Sequence, residues 1–202
     1  MEIQTPHGPG AVEVDEPPGQ GRARLLLALT HGSAGGVGAP DLLAVRDAVL
    51  GIGGVVARVT QPFRRRGARA PGSAVKQDEA WAVIVGALRE RYPGLPLAQG
   101  GRSNGARVAC RTALAVGADA VVALAFPLHP PGRPERSRAD ELRQAGVDVL
   151  VVNGDRDPFG VPQADDVARL VVLVGEGHDL KKDPGRVGEE VARWLVARFE
   201  NR

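Results

Sequence analysis

The sequence predicts an α/β fold, with a mostly parallel sheet, helices on both faces and an antiparallel hairpin at the N-terminal edge. Three observations lead there. Short, continuous apolar runs recur from about residue 24 to the end, as strands buried on both faces require. Segments with helical spacing separate these runs, so the connections are right-handed crossovers between parallel strands. The first residues differ: Glu2–Thr5 and Ala11–Asp15, split by Pro6 to Gly10, read as two strands of an edge hairpin.

The elements then follow in order. Arg24–Thr30 (RLLLALT) is a first buried strand, ending at His31-Gly32. Asp41–Leu50 is a helix with Pro40 near its start, a position where proline is tolerated. Gly54–Gln61 is the second strand, stopped by Pro62. Gln77–Arg91 is a helix with Trp81, Ile84, Val85 and Leu88 on one face, ended by Pro93-Gly94. Leu95–Gly101 is the third strand and Asn104–Val116 the next helix. Ala118–Phe126 is the fourth strand, Arg138–Ala145 a short helix and Val147–Asn153 the fifth strand. Pro162–Ala168 forms one or two turns, Leu170–Val174 is the sixth strand, and Pro184–Phe199 a closing helix with Val187, Val191, Trp194 and Leu195 inward.

Composition sets the class. The chain of 202 residues is one domain, 1–202, with 43% apolar and 25% charged residues. Seven aromatic residues (4 Phe, 2 Trp, 1 Tyr) leave the core to aliphatic side chains. The net charge is +2, and the only lysines are Lys76, Lys181 and Lys182. The arginines are spread along the chain, which argues against a nucleic-acid surface. One cysteine, Cys110, allows no internal disulfide and reads as a small core residue. With no secretory signal and no apolar run long enough for a membrane, the expectation is a cytoplasmic protein without nucleic-acid or membrane partners; its oligomeric state is open.

Ligands of such sheets bind beyond the carboxyl ends of the strands. The third strand ends in Gly101-Arg102-Ser103-Asn104-Gly105, a G-x-S-x-G between a strand and a helix. That setting makes the pentapeptide a candidate nucleophile elbow, because the serine sits in a tight turn whose neighbours must be small. Glycine-rich chains match it by chance, so the strand–turn–helix context carries the argument. The first buried strand ends in His31-Gly32-Ser33-Ala34-Gly35-Gly36. It is suited to supply the backbone N–H of Ser33 to an oxyanion beside that of Asn104. It meets no dinucleotide pattern, and no phosphate-binding P-loop occurs anywhere.

The fifth strand runs into Gly154-Asp155-Arg156-Asp157-Pro158-Phe159-Gly160, with two candidate acids. Asp155 suits a turn or a pair with Arg156; Asp157 lies further out, before a proline. The sixth leads into Gly175-Glu176-Gly177-His178-Asp179, which makes His178 the candidate base, with His129 the alternative. Serine, aspartate, histidine is the chain order of the triad of this fold. His31 reads as a scaffold and His7 lies in the hairpin. Phe63, Leu128, His129 and Phe159 follow strand ends and are the expected walls of a mainly apolar slot. Arg64, Arg65 and Arg66, with Arg69, read as a solvated loop.

Taken together, LTHGSAGG, TQPFRRRG, GGRSNGARVA, FPLHPPGRPE and NGDRDPFG resemble the α/β-hydrolase superfamily over about residues 22 to 200. More narrowly they resemble a small branch related to dienelactone hydrolases and to the hydrolase-like domain of a histone-acetyltransferase (NSL) complex subunit. The resemblance implies an α/β-hydrolase fold without a large lid, a triad of Ser103, Asp157 and His178, and no metal or organic cofactor. The branch pattern G-x-x-D puts the acid on Asp157, and its elbow carries methionine where this chain has Asn104. It implies a serine hydrolase of carboxylesterase or thioesterase type acting on a small acyl substrate. The alternative it allows is a non-catalytic interaction module.

Overall fold

The structure, a computed structural model, describes residues 1–19, 22–68 and 70–199. Among them eight strands form one sheet: β1 (Glu2–Ile3), β2 (Gly10–Asp15), β3 (Leu25–Thr30), β4 (Gly54–Thr60), β5 (Leu97–Arg102), β6 (Ala120–Leu124), β7 (Asp148–Gly154) and β8 (Arg169–Leu173). Their order is β1-β2-β4-β3-β5-β6-β7-β8. β1 and β2 form an antiparallel edge on β4, and β4, β3, β5, β6, β7 and β8 run parallel. Thr30 pairs with Gly101 and Arg102 with Leu124, so the ends of β3, β5 and β6 are level.

The helices are α1 (Pro40–Gly51), α2 (Pro62–Arg65), α3 (Ala74–Arg91), α4 (Asn104–Thr112), α5 (Ala139–Arg143) and α6 (Pro184–Phe199), with one 3-10 turn at Ala164–Asp166. Alternation along the strands divides the core in two. Leu26 and Ala28 of β3 face Trp81, Ile84 and Leu88 of α3 and Ala106 and Ala109 of α4. Leu25, Leu27 and Leu29 face Leu42, Val45 and Val49 of α1 and Val187, Val191 and Leu195 of α6. Trp194 is only partly buried against that second cluster. At Gly188 a Cβ would lie 2.5 Å from the Ala44 carbonyl oxygen, so only glycine lets α6 approach α1 this closely.

Several boundaries differ from the sequence expectation, each for a local reason. The arginine run is not wholly loop: Pro62 presets the first turn of α2, and the Arg66 N–H closes on the Pro62 carbonyl at 3.1 Å. Arg69 lies outside the described residues. α3 starts at Ala74 because the Ser73 hydroxyl accepts from the Lys76 N–H. α4 stops at Thr112 rather than Val116; the Ala118 N–H bonds the Ala113 carbonyl, and Gly117 turns at φ 64°. β6 stops at Leu124, where Ala125 takes φ 44° and swings the chain off the sheet. β1 is only Glu2–Ile3, since a turn from Thr5 to Gly8 follows.

No cap is inserted over the sheet ends among the described residues, so the carboxyl ends of the strands are open. Likewise no helix there is long and apolar enough to cross a membrane. Cys110 is buried in the α4 core, and burial pushes its thiol well above the ordinary range.

Candidate active site

The turn from β5 into α4 is as tight as a nucleophile elbow demands. Ser103 sits at φ 53°, ψ −114°, in a region that an L-residue occupies only under constraint. The constraint is visible. Its N–H bonds the Leu124 carbonyl at 2.9 Å, and its carbonyl accepts the Arg107 N–H at 3.2 Å. A Cβ at Gly101 would lie 2.7 Å from the Thr30 carbonyl oxygen, and one at Gly105 2.8 Å from that of His31. Both glycines are therefore steric requirements of the elbow. Behind it, a buried chain of hydrogen bonds holds α4 to the sheet: Trp81 Nε1 donates to Gln99 Oε1 at 2.7 Å, and Gln99 Nε2 donates to the Ala109 carbonyl at 2.6 Å. The Asn104 side chain donates to Gln77 Oε1 at 2.6 Å, tying the elbow to α3 where the branch pattern has an apolar methionine.

Ser103, His178 and Asp157 come together from three loops. His178 Nε2 stands 2.9 Å from Ser103 Oγ, and His178 Nδ1 stands 2.8 Å from Asp157 Oδ2. A carboxylate only accepts, so Nδ1 carries the proton and Nε2 is left to accept from the serine hydroxyl. The Asp157 side chain is fully buried. Its Oδ1 accepts the Phe159 N–H at 2.8 Å, and its Oδ2 also accepts from Asn153 Nδ2 at 3.3 Å. Asn153 in turn accepts the Phe126 N–H at 2.8 Å, linking the ends of β6 and β7. Asp155 points elsewhere: it accepts the Gly175 N–H at 2.7 Å and braces the loop after β8. The Phe159 ring lies over His178, centroids 4.2 Å apart.

A family model for the alpha/beta hydrolase domain matches residues 22–184. The chain belongs to that family. The fold of this hydrolase-family chain is similar to a serine hydrolase without a lid from Xanthomonas campestris, at 22% identity and a TM-score of 0.71, covering 96% of this chain and 93% of that one. It is also similar to Est1E from Butyrivibrio proteoclasticus, solved with ferulic acid, at 16% identity and a TM-score of 0.81, with 99% of each chain covered. A third similar structure is an alpha-beta serine hydrolase homologue from Coxiella burnetii, at 18% identity and a TM-score of 0.76, with 96% of each covered. No curated protein matches the sequence.

The hydrolase-family site opens on a cavity of about 320 Å³, near the small end for ligand pockets. Gly32, Ser33, Ala34 and Gly35 form one wall, Ser103 and Asn104 the floor, and Phe159 and His178 another side. Of the expected apolar walls only Phe159 is there. Phe63 follows β4, which is separated from β5 by β3, about 10 Å at normal strand spacing. It lines a neighbouring cavity instead. Leu128 and His129 are carried away where the chain leaves β6: the His129 N–H donates to the Phe159 carbonyl at 2.9 Å, and its ring packs on Gly160.

The remaining walls are Pro127 and three arginines, Arg102, Arg107 and Arg138, which add guanidinium groups to the expected apolar slot. Arg102 and Arg107 flank Ser103 by one and four positions, and helical spacing alone would have flagged Arg107. Arg138 and Asn153 carried no such signal, apart from the polar Asn153 ending an apolar run. Arg102 lies 3.3 Å from the fully buried Asp41; burial pushes that carboxyl above its ordinary range, and Arg102 opposes the shift. Among the described residues no group of three or more His, Cys, Asp or Glu is placed to hold a metal.

Proposed function

We propose that this chain is a serine hydrolase that cleaves a small ester or thioester through an acyl-enzyme, with Ser103, His178 and Asp157 as its triad. One observation carries the reading: the unbroken hydrogen-bonded chain Asp157–His178–Ser103 ends at the floor of an open cavity. Its placement in the small branch near the dienelactone hydrolases, with the carboxylesterase or thioesterase chemistry, rests on the motifs given above.

Ser103 Oγ attacks the carbonyl carbon as His178 Nε2 takes its proton. The charge on the carbonyl oxygen is met by the N–H groups of Ser33 and Asn104, two residues that line the cavity with Ser103. Asp157 keeps His178 in the productive tautomer and stabilises the imidazolium. The carbon–leaving-group bond then breaks, and His178 returns the proton to the departing alkoxide or thiolate. Water attacks the acyl-serine, losing its proton to His178, and the acid leaves as Ser103 recovers its hydrogen. A cytoplasmic location belongs to the same reading; the single cysteine is a buried free thiol.

A fluorophosphonate probe tests it. Wild-type protein is expected to label and Ser103→Ala to remain unlabelled. Label retained by the alanine variant sinks the assignment, and a folded wild type that neither labels nor hydrolyses any ester supports the interaction module instead.

A further inference from the structure

We propose that Arg102 is a positioning residue: its guanidinium, anchored on Asp41, straps loop 32–35 against the nucleophile elbow and so holds the Ser33 N–H where the oxyanion forms. The inference deepens the hydrolase reading and rests on it for the word oxyanion, but the strap itself is measurable without turnover.

The loop that carries Ser33 does little to hold itself. Its only internal backbone bond among the described residues runs from the Gly35 N–H to the Gly32 carbonyl, at 3.3 Å. That carbonyl is also 2.8 Å from the His31 ring. Ser33 and Ala34 make no backbone–backbone bond among the described residues. An uncommitted N–H at Ser33 suits an oxyanion donor, yet such a donor works only if it is preorganised. The loop therefore needs a support from outside itself.

Arg102 is placed to be that support. It is the last residue of β5, immediately before Ser103, and its side chain crosses to the start of α1. Its Nη2 lies against Gly35, where a Cβ would come within 2.9 Å of it. Its Nε stands 3.3 Å from Asp41 Oδ2, and the two side chains are only 14% and 0% exposed. The cation is also felt at two neighbouring loops. Burial lowers the pKa of His31, at the end of β3, and Arg102 adds to that. Asp179, next to His178, is held below its ordinary value chiefly by Lys181, with a further pull from Arg102. One guanidinium thus stands among the loops that bring Ser33, Ser103 and His178.

The pair is a poor device for stability, so position is the better account of it. Neither oxygen of Asp41 nor Arg102 Nε makes a hydrogen bond of sound geometry among the described residues. Burial pushes the Asp41 carboxyl above its ordinary range, with Arg102 and, less, the Leu42 backbone opposing the rise. A buried pair without supporting hydrogen bonds is often matched or bettered by apolar side chains of similar volume. Those side chains do not reproduce a planar cation that lies on a glycine loop and on a carboxylate at once.

The test separates position from stability in the full chain. Hydrogen exchange read by mass spectrometry is expected to speed up at least about tenfold over loop 32–35 in Arg102→Met, with β3 unchanged. The same variant should lower kcat for p-nitrophenyl acetate about 10²-fold and leave KM within about twofold, because a displaced oxyanion donor is missed only in the transition state. Asp41→Leu/Arg102→Met removes both charges. It should unfold in urea at or above the wild-type midpoint, yet keep the fast exchange and the low kcat. Arg102→Lys should fall between wild type and Arg102→Met, and Arg46→Met, from the Arg46–Asp47 pair on α1, should match wild type. Exchange over loop 32–35 that is as fast in wild type as in Arg102→Met overturns the inference. So does a double variant that regains the wild-type kcat, or a loss in Arg102→Met that falls on KM instead of kcat. If the double variant does not fold, Asp41→Asn takes its place, and wild-type exchange with wild-type kcat in that variant overturns the strap. Protection that depends on Arg102, in a wild type that hydrolyses no ester, overturns the hydrolase reading alone.

Discussion

Two cavities lie side by side at the carboxyl ends of the strands, and the larger is the less informative. The one at Ser103 encloses about 320 Å³; its neighbour encloses about 640 Å³ between α2 and the start of α3, lined by His7, Gln61, Phe63, Arg66 and Lys76 among others. The larger one has basic side chains and an apolar wall but, among the described residues, no hydroxyl or thiol hydrogen-bonded to a basic side chain. The smaller one has strained backbone, a relay of hydrogen bonds and close-approach glycines converging on one oxygen. Convergence of chemistry, rather than volume, marks the site. The partition between them is made of His31, whose ring is 5.7 Å from Phe63 on one side and bonds the Gly32 carbonyl on the other, and of the Asn104–Gln77 bond.

The sharpest way to break this comparison is to disable each cavity in turn. Ser103→Ala is expected to lower kcat for an activated ester on the order of 10⁶-fold, the scale seen when a triad loses its nucleophile. Phe63→Ala, in the wall of the larger cavity, is expected to lose about 3–5 kcal/mol of stability in urea unfolding while the folded protein keeps any esterase rate within a few-fold. A folded Phe63→Ala protein without activity would move the chemistry to the larger cavity.

Next comes the acid. Asp157→Asn is expected to cost about 10⁴-fold in kcat, through loss of the right His178 tautomer. Asp155→Asn should act through the loop after β8 and cost about 0.5–2 kcal/mol of stability. Steady-state rates and unfolding midpoints on both variants decide this, and a larger rate loss at Asp155 with intact folding reverses the roles.

The partition makes a pH prediction. The Gln61 N–H donates to His31 Nε2 at 3.1 Å, so Nδ1 carries the proton shared with the Gly32 carbonyl, and the buried ring is neutral. Burial lowers its pKa from the ordinary 6.5. The unfolded chain therefore takes up the proton at a higher pH than the folded one. The stability contributed here is whole above about pH 6.5 and is lost as pH falls through 6.5 toward the lower folded value. Stability from urea unfolding should therefore fall further between pH 7.5 and pH 5.5 in wild type than in His31→Gln. Each tenfold difference in proton affinity between the folded and unfolded chains is worth about 1.4 kcal/mol. Equal falls in the two proteins would mean that the ring binds its proton alike in both states.

The smallest effect is expected at the arginine run. Arg65 pairs with Glu2 at 2.8 Å and Arg66 bonds the His7 carbonyl, both on the edge hairpin, and none of Arg64, Arg65 or Arg66 lines the Ser103 cavity. Replacing all three by glutamine should change KM by less than about twofold, with no salt dependence of its own. A large, salt-sensitive rise in KM would join the two cavities into one extended site.

Much of this molecule is legible in the chain itself. The strands are runs such as LLLALT and AVVAL, which read as buried because both faces of a parallel sheet are covered. The order of serine, aspartate and histidine after the third, fifth and sixth buried strands placed Ser103, Asp157 and His178 on one edge, since parallel neighbouring strands deliver their loops to the same side. Choosing Asp157 over Asp155 needed the family pattern, because spacing alone does not say which carboxylate turns inward.

What the amino-acid sequence determined by itself was therefore periodic or local: the class of fold, the strand ends and the glycines that let a serine sit at φ 53°. Only the tertiary structure decided the walls of the cavity. Whether Phe63 or Arg138 faces Ser103 depends on a strand order that interposes β3 between β4 and β5, and on Ala125 turning the chain off β6. Those are long-range facts, set by how the sheet is threaded and where irregular loops fold back. Periodicity in the chain carries no record of either, so the exchange of Phe63 for Arg138 in the cavity wall was not legible in it.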